Sequence, residues 1–375
     1  MTSSSRKPRI GIVTGGGDAP GLNTVIRAVV MAADRRGWES IGILGGFEGL
    51  LPPTAHRSVT VRDTDALLFR GGTILGTSSR GRFSHRSSTG GQPRLDSAVI
   101  AQAATNAKKL GLKALICIGG DGSFRIAQAL AAAGVPVVGV PKTIDNDLPG
   151  TDTTFGFESA VAVAVDAVDR LASTAESHQR VMVLEVMGRH AGWIATHAGI
   201  GGGADVILIP EIRFAWSAVC DVVDDRWARG LRHAVVVVAE GARAVGGRYV
   251  TTVGSGGVPG ERRLGGIGLR VARQVQLRTG HESRAVVLGH LQRGGPPTAG
   301  DRQLCTRYGV AAVEAVVAGQ IGTMVAVRGS AIVPVPLSAG MGRIRTVPVE
   351  GELVRAARAI GISFGDDPAL PSGRG

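Results

Sequence analysis

Aromatic residues are scarce, at 4% of a 375-residue chain. Proteins that grip single-stranded nucleic acid interleave stacking faces with a basic groove. Here the arginines are scattered, so the formal charge of +12 favours anionic ligands in general and no nucleic-acid partner is expected. Cysteine is almost missing. Cys117, Cys220 and Cys305 are far apart with no CxxC spacing, which excludes a disulfide framework and a zinc ribbon. They read as reduced, structural thiols in a reducing compartment. No stretch approaches the roughly 20 uninterrupted apolar residues of a membrane span. The opening MTSSSRKPR leads into an apolar run too short for a signal peptide. A soluble, cytoplasmic protein with no membrane partner is the expectation. HExxH is absent and no Ser, His and Asp arrangement stands out, so zinc and triad hydrolase chemistry lack support.

Glycine is abundant, with 57 residues, many clustered beside charged or hydroxyl residues and without period. That pattern suits loops that touch anions. With 44% hydrophobic residues the chain can bury a core large enough for two lobes. Short β-branched runs read as buried strands: 9–14, 114–118, 135–140, 181–186, 206–209, 235–239 and 285–288. Helix-length patterns fall between them, at 22–35, 97–110, 124–133, 157–175 and 218–228. This alternation predicts an α/β protein with mainly parallel sheets flanked by helices. The run 241–260 reads as a surface loop and the tail after Asp366 as frayed.

Ligands of such sheets bind beyond the carboxyl ends of the strands, where the informative residues fall. The first strand ends in Gly15-Gly16-Gly17-Asp18 and turns into a helix near Leu22. Glycines there let backbone N–H groups approach a phosphate, although many α/β turns use glycine for geometry alone. The strand 114–118 ends in Gly119-Gly120-Asp121-Gly122-Ser123, where an aspartate can hold magnesium or simply cap the next helix. The strand 135–140 ends in Pro141-Lys142-Thr143-Ile144-Asp145-Asn146-Asp147. Two carboxylates so close are costly unless a cation or a proton transfer uses them. Arginines near strand ends, Arg180, Arg189, Arg284 and Arg293, suit phosphate through their planar forks.

These runs resemble phosphofructokinases nearly from end to end. The matching segments are GGGDAPGLN (15–23), RGGTILGT (70–77), GGDGS (119–123), PKTIDND (141–147), ESHQR (176–180), EVMGRHAGW (185–193) and LGHLQRGG (288–295). TIDND followed by EVMGR is the specific part. The resemblance implies two lobes with the active site in the cleft between them. A lobe of residues 1–156 plus about 292–345 would bind the donor, and one of residues 157–291 plus about 346–375 would bind the sugar phosphate. It implies transfer of a phosphoryl group from MgATP to the 1-hydroxyl of fructose 6-phosphate, with Asp145 as the base. Thr143, Asp147 and Arg189 would flank the moving group, and Asp121 would hold magnesium. Gly17, Arg80, Gly81, Gly120, Gly122, Ser123 and Lys142 would line the donor. Met187, Gly188, Glu240, His290 and Arg293 would surround the sugar phosphate. Arg180 and Arg284 would reach it from a neighbouring subunit, making the protein a homodimer or homotetramer.

Two positions bear on the donor. Gly122 resembles the ATP-using branch, because it leaves room that a carboxylate would fill, whereas Lys142 resembles the pyrophosphate-using branch. ATP is the favoured donor, with pyrophosphate as the alternative. Basic positions lining the effector pocket of bacterial allosteric relatives are replaced here by Met31, Ala172 and Leu231, although Arg27, Arg229 and Arg232 remain. Weak or altered effector responses are expected.

Overall fold

The computed structural model describes residues 7–78, 81–85, 94–253 and 262–366. The elements run β1 (Arg9–Thr14), α1 (Leu22–Asp34), β2 (Glu39–Ile43), β3 (His56–Ser58), β4 (Ser84–His85), β5 (Arg94–Leu95), α2 (Ser97–Lys109), β6 (Leu112–Gly119), α3 (Asp121–Ala132) and β7 (Val137–Pro141). They continue with α4 (Phe157–His178), β8 (Val181–Val186), α5 (Trp193–Gly201), β9 (Val206–Leu208), α6 (Trp216–Ala228), β10 (Ala234–Ala239), β11 (Thr251–Val253) and β12 (Arg262–Leu264). Last come α7 (Ile267–Thr279), β13 (Ser283–Val287), α8 (Ala299–Val317), β14 (Thr323–Arg328), β15 (Ala331–Pro336) and α9 (Glu352–Ala359).

The chain forms two compact units, each made of two separate stretches. The first comprises residues 1–159 and 293–343. Its sheet runs β15-β14-β7-β6-β1-β2-β3, with parallel pairing from β14 to β2. Alternate residues go to opposite faces, as strand geometry requires. Ile10, Ile12, Ile116, Ile118, Val138 and Val140 pack in one core with residues of α1 and α8. Val13, Leu115, Cys117 and Val137 pack in another with α2 and α3. Both faces are therefore covered, which explains why these strands read as continuous apolar runs.

The sheet is not parallel throughout. β3 pairs antiparallel with β2, and β15 with β14. β14 and β15 are joined by Gly329-Ser330, with Gly329 at φ 58°, and a two-residue hairpin with positive φ matches strand twist. Pro334 and Pro336 in β15 are tolerated because it is an edge strand.

The second unit comprises residues 160–292 and 344–375. Its sheet, β13-β8-β10-β9, is wholly parallel. Val181, Val183, Val236 and Val238 pack on one face with residues of α6 and α7. Glu211 ties two distant pieces of this unit together: its carboxylate accepts N–H bonds from Gly192 at 3.0 Å and Val347 at 2.8 Å. The expected loop 241–260 contains β11, which pairs antiparallel with β12, so part of it is ordered hairpin. The end of that loop and the tail from residue 367 lie outside the described residues. Among the described residues no helix is long and apolar enough to cross a membrane.

Candidate active site

The first unit brings its three glycine- and aspartate-bearing turns together at the carboxyl ends of β1, β6 and β7. Gly15 follows β1, and a Cβ there would lie 2.6 Å from Ser123 Oγ and 2.9 Å from the Phe47 ring. Glycine is needed at this point because two turns approach closely, without any positive φ. Gly21 caps α1 at φ 105°, where a Cβ would also meet Cys305 Sγ at 2.5 Å.

The second turn leads into α3 earlier than the sequence pattern indicates. The helix begins at Asp121, not Phe124, with Gly120 as its N-cap and no side chain capping it. Asp121 is thus the first helical residue and does not cap the helix; the first N–H groups of α3 lack intrahelical partners. Asp121 Oδ2 accepts from Arg125 Nε at 3.0 Å, while its Oδ1 is buried with no hydrogen-bond partner. A Cβ on Gly122 would meet nothing within 4 Å.

The third turn follows β7. Asn146 takes φ 50°, and its Oδ1 accepts the Thr154 N–H at 3.1 Å, which fixes the bend between the two aspartates. Lys142 is buried, at 4% exposure, and its Nζ donates to the carbonyl of Gly17. Burial, then the nearby Arg293 cation, pushes the Lys142 ammonium down to about 8 against the opposing pull of Asp18, Asp145 and Asp147. Asp145 is pushed up to about 6, by burial first and by Asp147 second, with Arg293 and Lys142 acting the other way. Its Oδ1 has no hydrogen-bond partner.

A cavity of about 410 Å³ opens beside these turns, within the range of small-molecule sites. Gly17, Gly120, Asp121, Gly122, Ser123, Lys142, Thr143 and Arg293 line one part of it, as does Gly81. Asp145 and Asp147 adjoin through Thr143, which bonds to both. Arg80 lies outside the described residues. The other part of the lining, Phe47, Glu48, Phe83, Leu95, Arg125 and Ile126, escaped the sequence reading. The one signal for it was the cluster Gly45-Gly46-Phe47-Glu48-Gly49, in which both leading glycines take left-handed φ.

In the second unit, Met187, Gly188 and Arg189 follow β8, and Glu240 follows its neighbour β10. Gly241 donates to the Gly188 carbonyl at 3.1 Å, and Met187 N–H donates to Gln292 Oε1 at 3.3 Å. Gln292 is fully buried and also donates to the Gly289 carbonyl, so it fastens the turn carrying His290 to the end of β8. Arg189 and His290 are exposed. Arg180 and Arg284 are not with this group. They sit at the amino ends of β8 and β13, sharing Glu282 at 3.5 and 2.7 Å. The six residues of β8 place roughly 20 Å between the two ends.

Fold and cavity together define a class: an α/β protein with a cavity lined by glycine turns and basic side chains, and partly buried carboxylates, at the carboxyl ends of a mainly parallel sheet. Residues 9–316 match the Phosphofructokinase family. The chain is 54% identical over 364 residues to an ATP-dependent 6-phosphofructokinase of Chloroflexus aggregans, covering 97% of this chain and 99% of the relative. It is 49% identical over 343 residues to a pyrophosphate–fructose 6-phosphate 1-phosphotransferase of Amycolatopsis methanolica, covering 91% and 97%. Among solved structures, the T-state phosphofructokinase of Pichia pastoris matches with a TM-score of 0.78 and 32% identity, over 91% of this chain and 36% of that longer one. The chain belongs to the phosphofructokinase family.

Proposed function

We propose that the protein is a cytoplasmic, ATP-dependent 6-phosphofructokinase of glycolysis, converting fructose 6-phosphate to fructose 1,6-bisphosphate. The observation that carries this reading is Asp145: a carboxylate oxygen with no partner, held in a turn beside the cavity and shifted up to about 6. At neutral pH it is ionised yet basic enough to take the proton of an attacking alcohol. Thr143, Asp147 and Arg189 flank the transferring group. Positioning and charge stabilisation carry most of the rate in phosphoryl transfer.

In this reading the first unit binds the donor and the second the sugar phosphate, through Met187, Gly188, Glu240 and His290, with Arg293 contributed by the first unit. Asp121 suits a hard cation, since its buried Oδ1 lacks a protein partner. Bound magnesium would neutralise donor phosphate charge. Arg180 and Arg284 lie at the opposite end of their sheet from Met187, which supports their serving a neighbouring copy's site in a homodimer or homotetramer.

ATP is favoured because the space beside Gly122 is open and relatives named for ATP match over nearly the whole chain. The pyrophosphate reading has one observation in its favour, the buried Lys142 ammonium lining the cavity, and a relative named for that donor. Parallel assays of wild type and Lys142→Gly with MgATP and with magnesium pyrophosphate decide between them. Turnover with ATP alone is the expected result, and turnover with pyrophosphate alone overturns the choice of donor.

A further inference from the structure

The carbonyls of Gly16, Gly17 and Asp18 are each held by a side chain from a different segment. Thr77 Oγ1 donates to the Gly16 carbonyl at 2.7 Å, Lys142 Nζ to that of Gly17, and Arg293 Nη1 to that of Asp18 at 3.0 Å. In a trans peptide the C=O and the following N–H point in opposite directions. Fixing these three carbonyls therefore fixes the N–H groups of Gly17, Asp18 and Ala19. None of the three donates a hydrogen bond to a described residue. Successive oriented, unpaired N–H groups form an anion-binding concavity, and Gly16 and Gly17 line the cavity.

The holding groups are themselves secured. Lys142 donates its own N–H to the Gly119 carbonyl at 2.9 Å, so one residue links the first and second turns. The segment bearing Thr77 is pinned by Thr14 Oγ1 on the Gly76 carbonyl at 2.7 Å, and by Asn23 Nδ2 on the carbonyls of Arg70 and Gly71 at 3.1 and 3.0 Å. We propose that Thr77 and Lys142 are positioning residues for the phosphoryl donor, aiming the N–H groups of Gly17 and Asp18 by holding the carbonyls of Gly16 and Gly17. This rests on the cavity being the donor site. It changes the meaning of Lys142, which acts through the turn and is no mark of pyrophosphate use.

The test uses the full chain with Thr77→Val, Thr77→Ser, Lys142→Met and the double variant Thr77→Val/Lys142→Met. Steady-state KM values for donor and for fructose 6-phosphate are measured, and pyrophosphate binding is titrated calorimetrically without catalysis. Each of Thr77→Val and Lys142→Met should raise donor KM about tenfold, as for loss of one oriented bond, leaving the sugar-phosphate KM within about twofold. Thr77→Ser should restore the wild-type value. Because both residues set the same turn, the double variant should lose little beyond the worse single one. Losses that multiply mean that Lys142 grips the donor directly, and an unchanged donor KM in Thr77→Val removes the clamp; either overturns the proposal. Wild-type protein that turns over neither donor refutes the functional reading instead, while the titration still judges the clamp.

Discussion

The backbone N–H of Asp145 donates to Thr143 Oγ1 at 3.1 Å, and the same hydroxyl bonds to Asp147 Oδ1 at 3.2 Å. One threonine thus holds the backbone of Asp145 and occupies a carboxylate oxygen of Asp147, while Asp145 Oδ1 keeps no partner. Of the two, Asp145 is the freer acceptor. Asp145→Ser should lower kcat by roughly a thousandfold with little change in the KM for fructose 6-phosphate, since general-base help acts on the transition state. Unaltered turnover would remove the assigned base.

The pH profile should be bell-shaped. As pH falls through about 6, Asp145 gains a proton and can no longer accept one, so kcat/KM falls on the acid side. As pH rises through about 8, Lys142 loses its charge, and donor kcat/KM falls on the alkaline side. Lys142→Met should abolish the alkaline limb and preserve the acid one. An acid limb that survives in Asp145→Ser would assign it to another group.

Gly122→Asp places its side chain in open space, so folding should be spared and Tm should move by only about a degree or two. The new carboxylate repels a nucleotide's phosphates and fills its room. The KM for MgATP should rise at least about a hundredfold, on the scale of a built-in clash with like charge. Equal ATP kinetics in the variant would show that the nucleotide lies elsewhere.

Arg284 is exposed and gives one nitrogen to Glu282 at 2.7 Å. Such a surface pair contributes little to stability, so Arg284→Ala should leave Tm nearly unchanged. The KM for fructose 6-phosphate should nevertheless rise about tenfold or more, as for loss of a charge-assisted bond to phosphate. An unchanged sugar-phosphate response would detach this arginine from any active site.

A second cavity, of about 190 Å³, is lined in the second unit by Glu176, Gln179, Gly230, Leu231, Arg232 and His233. With Leu231 presenting an apolar surface at 47% exposure, a nucleoside diphosphate or phosphorylated acid finds fewer charge-assisted partners than a fully basic pocket offers. Initial rates should change less than about twofold when ADP or phosphoenolpyruvate is added. Strong responses to both would refute this.

Much of the framework was legible because its signals are local. β1 and β8 span the residues that the β-branched runs mark, 9–14 and 181–186. Each of the motif turns falls where a strand ends. The antiparallel edges β3 and β15 were missed because edge pairing depends on a hairpin and a neighbour, not on an apolar run; β15 has no fully buried residue and carries two exposed prolines. α8 was missed too. Its buried positions do lie on one helical stripe, but Asp301, Gly309, Ala312 and Ala315 are among them, so the stripe carries only a weak apolar signal. The apolar side of the cavity was illegible for another reason: Phe47, Phe83 and Ile126 come from a turn, a loop and a helix that only the tertiary fold assembles. The glycine- and aspartate-bearing turns were legible from residue chemistry and the resemblance, whereas Glu48 and Arg125 on the other side were not.

The interleaving of the two units has a consequence during synthesis. β14 takes its place beside β7, and α8 packs on α1, yet all of residues 160–292 leave the ribosome before either arrives. The second unit likewise waits for Val347 to meet Glu211. Nascent chains must therefore hold one unfinished sheet, β7 temporarily serving as a bare apolar border, together with a second unit that still lacks its carboxyl-terminal segment, and halting translation near residue 292 should yield aggregation instead of an isolated folded half.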